Sequence, residues 1–363
     1  MARRFAFSVL PGLGLALLLS MARTPVARSL PASDQSLSAS PEPAPVPEAS
    51  EVKQRGIALG LFAEDISFSY APLIREIAAM GATHVSLIVP TYQTNGASTE
   101  LRLHTRLSPT MEAIAETIRL SRRAGLEVTL FPIVRLLQPR HPKEWRGTLA
   151  PANRDAWFAS YGALLADLAS LGALTGASRL VVGSELSTLD GDLARWRPLV
   201  QRIRALFPGT LMYSANWDHY QDARLFELVD ELGVVAYFKL REKDAPSDVT
   251  ALTERWRSLR RDLERNLNSF AKPFVLSELG YRSRAGATAA PWDEESGGVP
   301  DVGEQTRAFQ AFRQAWTAPP QDKSRLAGLY VWNWYGYGGP ATTSYTPRGK
   351  PAVDVIRQIL EEL

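Results

Sequence analysis

Arg179-Leu180-Val181-Val182-Gly183-Ser184-Glu185 is an apolar run of strand length that ends on a carboxylate, set between two stretches of helical periodicity at 154–174 and 193–207. The same unit recurs along the chain. Strands are predicted at 57–62, 84–89, 127–132, 179–184, 210–215, 232–238, 273–277 and 328–333, and helices at 70–80, 109–124, 154–174, 193–207, 248–267, 303–316 and 351–363, with a short one at 223–229. Gly81, Gly125 and Gly209 each follow a helix and precede a strand, where a left-handed stop is expected. Strand and helix alternating eight times over about 310 residues fit a closed (β/α)8 TIM barrel, whose usual size is about 250 residues plus insertions. An open doubly wound sheet would carry a glycine-rich phosphate loop after its first strand; here that position reads Leu61-Phe62-Ala63-Glu64-Asp65.

In a barrel the chemistry gathers at the C-terminal ends of the strands. The fourth strand runs into Glu185 and the seventh, Pro273-Phe274-Val275-Leu276-Ser277, into Glu278. Two carboxylates at one barrel mouth are what a retaining glycosidase needs, one to protonate the leaving oxygen and one to attack the anomeric carbon. The competing reading is that each glutamate bonds loop amides or a neighbouring arginine. The other strand ends are aromatic and hydrogen-bonding: Asn216-Trp217-Asp218-His219 after the fifth, Tyr237 at the sixth, and Trp332-Asn333-Trp334 at the eighth. Flat rings beside short polar groups suit the apolar faces and hydroxyl rims of sugars. Core packing is the alternative for each tryptophan, and a structural hydrogen bond for His219. A long connection, 284–301, follows Glu278 and is expected to wall one side of the cleft with Trp292 as a sugar contact, a merely solvated loop being the alternative.

The 363 residues are 45% hydrophobic and 22% charged, as in a soluble globular protein. Forty-one basic residues stand against 38 acidic ones. Removal of residues 1–22 would take Arg3 and Arg4 with it, so charge offers no argument for a nucleic-acid or acidic-membrane partner. With no cysteine, disulfides, thiol catalysis and thiolate metal sites are excluded. The histidines show neither HxH nor HExxH spacing, so neither a metal nor a cofactor is expected.

Arg3 and Arg4 precede an apolar stretch to Met21, and Ser20-Met21-Ala22 offers small residues at a cleavage site. Residues 1–22 therefore read as a signal peptide cleaved near Ala22, which places the chain outside the cytoplasm, secreted or periplasmic, or membrane-tethered if uncleaved. Residues 23–51 read as a disordered Pro/Ser-rich linker, with five prolines, five serines and no aromatic residue between Leu30 and Ser50. The folded domain is expected over 52–363, as a monomer with no stable membrane partner after cleavage.

Val182-Gly183-Ser184-Glu185-Leu186, Tyr213-Ser214-Ala215-Asn216-Trp217-Asp218, Ser277-Glu278-Leu279-Gly280-Tyr281-Arg282-Ser283 and Trp332-Asn333-Trp334 resemble clan A of the retaining glycoside hydrolases, and most of all glycoside hydrolase family 113. The resemblance spans about Gly56 to Leu363. It implies a β-linked polysaccharide or oligosaccharide substrate, β-1,4-mannan first, with Glu185 as acid/base and Glu278 as nucleophile. It further implies that Tyr237 hydrogen-bonds the nucleophile and that Trp332 or Trp334 floors the reacting subsite. Glu278 is expected to stay ionised, supported by Tyr237 and by Arg282 or Arg135. One position departs from the clan: Ser184 stands where an asparagine usually bonds the sugar 2-hydroxyl, and Asn216 is a candidate replacement. Two other activities fit the same residues, a non-catalytic carbohydrate-binding barrel and a transglycosylase acting on a surface polysaccharide.

Overall fold

The strands of the barrel are buried on both faces, and the pattern of apolar residues shows how. In the computed structural model, which describes residues 53–65, 67–317 and 324–363, alternate strand residues fall into two concentric layers. Ala58, Val181, Met212 and Val275 point into the barrel, whereas their neighbours Ile57, Leu59, Leu180, Val182, Leu211, Phe274 and Leu276 pack outward under the helices. A period of two with both faces covered is why these strands read as continuous apolar runs. The expected signal peptide, linker and domain start, residues 1–52, lie outside the described residues.

The elements follow in the order β1 (Gln54–Gly60), α1 (Ala71–Ala79), β2 (His84–Gln93), α2 (Met111–Arg123), β3 (Glu127–Leu136), α3 (Arg154–Thr175), β4 (Arg179–Ser184), α4 (Leu193–Leu206), β5 (Thr210–Ala215), β6 (Glu231–Val235), α5 (Val249–Leu267), β7 (Phe274–Leu279), α6 (Val302–Trp316), β8 (Leu326–Val331) and α7 (Ala352–Glu362). All eight strands are parallel and the sheet closes through β1 against β8, so this is a (β/α)8 barrel. Four helices are capped by side chains whose oxygen accepts an otherwise orphaned amide: Thr110, Asn153, Asp248 and Asp301.

Several boundaries differ from the sequence reading. β2 and β3 each run four residues further, in unbroken register to Gln93 and Leu136. β6 stops before Tyr237 and β8 before Trp332, because the chain leaves the ladder there. The segment expected as a helix at 223–229 is a 3-10 turn, Arg224–Leu228, so β5 is followed by no α-helix. β7 continues through Glu278, which is therefore a strand residue. The ladder slips beside both glutamates: between Val181 and Gly183 on β4, and between Leu276 and Leu279 on β7. Such irregularities turn a side chain out of the regular alternation, which is how two carboxylates reach the barrel mouth.

Candidate active site

Glu185 immediately follows β4 and adopts a left-handed backbone, φ 52°, which a residue with a side chain rarely takes. The conformation is held by its amide, which donates to the Ser214 carbonyl at 2.7 Å on the neighbouring strand. A strained non-glycine residue of this kind costs about 1–3 kcal/mol and persists only where the surroundings enforce it. The carboxylate is 4% exposed. Its Oε2 accepts from Arg146, Nε at 2.8 Å and the neighbouring Nη2 as well. Burial pushes the carboxyl upward; the Arg146 guanidinium opposes that, and the negative charges of Glu294 and Asp218 add to it.

Glu278, on β7, is 2% exposed. Its Oε2 accepts from the Tyr237 hydroxyl at 3.0 Å, and its Oε1 is buried without a hydrogen-bond partner. Burial and the nearby Glu185 push this carboxyl up, while Arg146 and Tyr237 pull it down. That balance differs from the expectation of a plainly ionised Glu278. Arg282 is not its support: the guanidinium is spent on the backbone carbonyls of Asp293, Glu294, Ser296 and Thr343. Arg135, at the end of β3, lines the cleft without a hydrogen bond or ion pair among the described residues. The cation beside the carboxylates is instead Arg146, from a 3-10 turn in the β3–α3 connection, and its closest contact is with Glu185.

The remaining candidates separate into cleft and scaffold. Trp332 lines a cavity of about 310 Å³ together with Phe62, Arg135, Arg146, Glu294 and Tyr345. Trp334 does not join it; 4% exposed, its indole nitrogen donates to Glu76 of α1 at 2.8 Å. Trp217 stacks on Trp292, ring centroids 4.8 Å apart and planes 20° from parallel. The 284–301 connection thus reaches across to the β5 end, tied down by Arg282 and by an Arg284–Asp293 ion pair at 2.7 Å. Asn216 spends both ends of its amide locally, donating to Asp218 at 2.8 Å and accepting from the Trp217 amide. Ser184, 2% exposed, keeps an unpartnered hydroxyl.

His219 pairs with Asp190 rather than with Asp218, and Asp190 also accepts from the Tyr213 hydroxyl at 3.0 Å. This chain of three braces the loop that carries Glu185. Asp190, Tyr213 and Arg146 escaped the sequence reading: Tyr213 sits within a segment already quoted, but Asp190 and Arg146 lie in connections with no periodicity to point at them. Among the described residues, no group of three or more histidine, aspartate or glutamate side chains is placed to hold a metal ion.

Two buried carboxylates, a phenol on one and a guanidinium on the other, form a set that can deliver a proton and an attacking oxygen to one bond. The model of glycoside hydrolase family 113 matches residues 68–343. The chain belongs to that family. It is a glycoside hydrolase, β-mannanase-like, and its substrate is a carbohydrate. Among solved structures it is similar to the family 113 β-mannanase of Alicyclobacillus acidocaldarius, at 25% identity and a TM-score of 0.75 over 86% of this chain and 98% of that one. A family 113 β-1,4-mannanase is 20% identical with the same TM-score, over 86% and 100%. The β-D-glucuronidase of Dictyoglomus thermophilum shares the fold alone, 14% identical at a TM-score of 0.59 over 86% and 51%. No curated protein matches the chain.

Proposed function

We propose that this family 113 member hydrolyses β-1,4-linked mannan with retention of configuration, with Glu185 as acid/base and Glu278 as nucleophile. The observation that carries the reading is Glu278: one oxygen is held by Tyr237 and the other is buried with nothing to bond, in the field of a second buried glutamate on a neighbouring part of the same mouth. The solved family members of similar fold are named as β-mannanases, which supports mannan over other β-linked polymers.

In the first step Glu185 gives its proton to the leaving glycosidic oxygen while Glu278 attacks the anomeric carbon, forming a glycosyl ester. In the second, Glu185 takes a proton from water, whose oxygen displaces Glu278. Tyr237 orients the attacking oxygen, and Trp332 presents a ring face to the reacting sugar. Ser184 is the better candidate than Asn216 for the 2-hydroxyl contact, because its hydroxyl is free and the Asn216 amide is engaged. Trp217 and Trp292, stacked at the end of β5, offer ring faces to a further sugar of the chain.

The test is the release of new reducing ends from β-mannan, glucomannan, xylan and β-glucan by the domain from residue 51 onward, against a Glu278→Ala control. Release from mannan by the unsubstituted domain alone supports the assignment. Longer products arising from short oligosaccharides would make it a transglycosylase, and binding without release a carbohydrate-binding barrel. We further infer that residues 1–22 are removed on export, leaving 23–51 as a spacer before a monomeric domain. N-terminal sequencing of exported protein checks this, with a new terminus just after Ala22 expected.

A further inference from the structure

The site contains a conflict. An acid catalyst must hold a proton, yet Glu185 is the carboxylate that Arg146 grips, while Glu278, which must attack as an anion, has no cation in contact. We propose that the free enzyme keeps its proton on the opposite carboxylate, Glu278, with Arg146 holding Glu185 as an anion, and that sugar entering the cleft reverses the two by drawing Arg146 away. This rests on the two-glutamate reading above and adds to it a gate on the acid.

Charge counting makes the reversal possible. Arg146, ionised Glu185 and protonated Glu278 sum to zero; so do Arg146, protonated Glu185 and ionised Glu278. One proton passes from Glu278 to Glu185, no net charge appears in a buried site, and none is exchanged with solvent. The free Oε1 of Glu278 is where the resting proton sits, since Oε2 already accepts from Tyr237. The other groups facing Glu185 are Glu278 on β7, Asp218 from the β5–β6 connection, Glu294 from the β7–α6 connection and the Tyr213 hydroxyl on β5; of these, Asp218 pushes up Glu185 and favours the reversal once Arg146 moves, whereas Glu294 pushes up both carboxyls. None is a cation.

Arg146 is also placed to respond to sugar. It lines the same cavity as Trp332, and among the described residues its only polar partner is Glu185, so its Nη1 bonds to nothing. A guanidinium has five donors, more than one carboxylate oxygen can use, and the hydroxyls of a bound sugar offer acceptors. Its perch is a short turn, held by Thr148 to Trp145 at 3.0 Å, rather than a strand. Arg146 acts through Glu185 and is a positioning residue. After the first step Glu278 is a neutral ester and Glu185 an anion, and Arg146 again has its counter-ion.

The test compares wild type, Arg146→Gln and Arg146→Lys in the pH dependence of kcat/KM on mannan oligosaccharides. Loss of a contacting cation raises a carboxyl by about 1–3 pH units, so in Arg146→Gln the alkaline limb should move up by about one unit or more. Arg146→Lys should recover most of the shift. An aryl β-mannoside with a leaving group that needs no proton should be far less sensitive to either change. In parallel, carboxyl carbon-13 spectra of labelled free enzyme, assigned with Glu185→Gln and Glu278→Gln, should show Glu278 protonated and Glu185 ionised, exchanging on addition of a competitive sugar inhibitor. A protonated Glu185 in the free enzyme overturns the proposal, as does an unmoved alkaline limb with the whole loss in KM. If Glu278→Ala keeps wild-type activity, the two-glutamate reading itself falls, whatever Arg146 does.

Discussion

The barrel interior has a buried glutamate beside an arginine at both ends, and the two arrangements behave differently. At the N-terminal end Glu231 accepts from the Gln54 amide and lies 3.6 Å from Arg179, while the Tyr330 hydroxyl bridges Gln54 at 2.9 Å and Thr129 at 2.7 Å. Every one of these residues belongs to a strand, so the ladder fixes it. At the C-terminal end Glu185 and Arg146 both stand on connections, Arg146 beside a cavity, whereas buried atoms without a hydrogen-bond partner among the described residues occur at both ends: Glu231 Oε2 and Arg179 Nε at the first, Glu278 Oε1 and the Ser184 hydroxyl at the second. On the proposed assignment, the same pair of charges is therefore framework at one end and working chemistry at the other. What separates them is whether the cation is held by the sheet or by a turn.

That contrast can be broken by exchanging consequences between the ends. Glu278→Ala should lower kcat by about 10³-fold or more without lowering the melting temperature, as measured by steady-state hydrolysis and thermal unfolding. Glu231→Ala should do the opposite. Removing one partner of a buried ion pair costs about 3–5 kcal/mol, read as a shift of the denaturation midpoint, with kcat of the folded enzyme unchanged. A large loss of kcat in the second variant would mean that the two ends are coupled and the division fails.

Smaller changes sharpen it. Tyr237→Phe removes the one side-chain donor to Glu278 among the described residues and should lower kcat about 10- to 100-fold, more than it raises KM. Tyr330→Phe leaves Thr129 and Gln54 short of a partner and should cost about 1–3 kcal/mol of stability, with hydrolysis intact.

At neutral pH the smallest effect belongs to His84, also at the N-terminal end. Burial, and next the charge of Arg179, lower its pKa from 6.5 to about 4. The unfolded chain then takes up the proton first as pH falls, so the stability His84 gives is complete above pH 6.5 and is lost on acidification toward pH 4. His84→Gln should flatten stability across that window in denaturant titrations, while leaving the pH profile of kcat in place.

Strands were legible because each buries both faces, so an apolar run of the right length admits few other readings. Glu185 and Glu278 were legible for a related reason: a carboxylate at the end of such a run has no place in a core. The limits appear where the ladder stops. Trp334 is two residues beyond Trp332, and on a continuing strand both rings would share a face, but β8 ends at Val331 and Trp334 turns to Glu76 instead. Arg282 looked available as a counter-ion because composition does not show that four loop carbonyls consume its donors. Arg146 had no signal at all, since its position depends on how one connection folds over the mouth.

The left-handed backbone at Glu185 has a consequence for how such a protein changes over generations. At φ 52° the fold would accept glycine, and more readily asparagine than most other residues, with less strain than it accepts glutamate. Random substitution therefore has a downhill direction at this position, toward a sturdier barrel that, on the proposed assignment of Glu185, no longer turns over sugar. A lineage freed from the need to cleave would slide that way early. With Glu185 as the acid/base proposed above, keeping glutamate there takes continual selection for turnover.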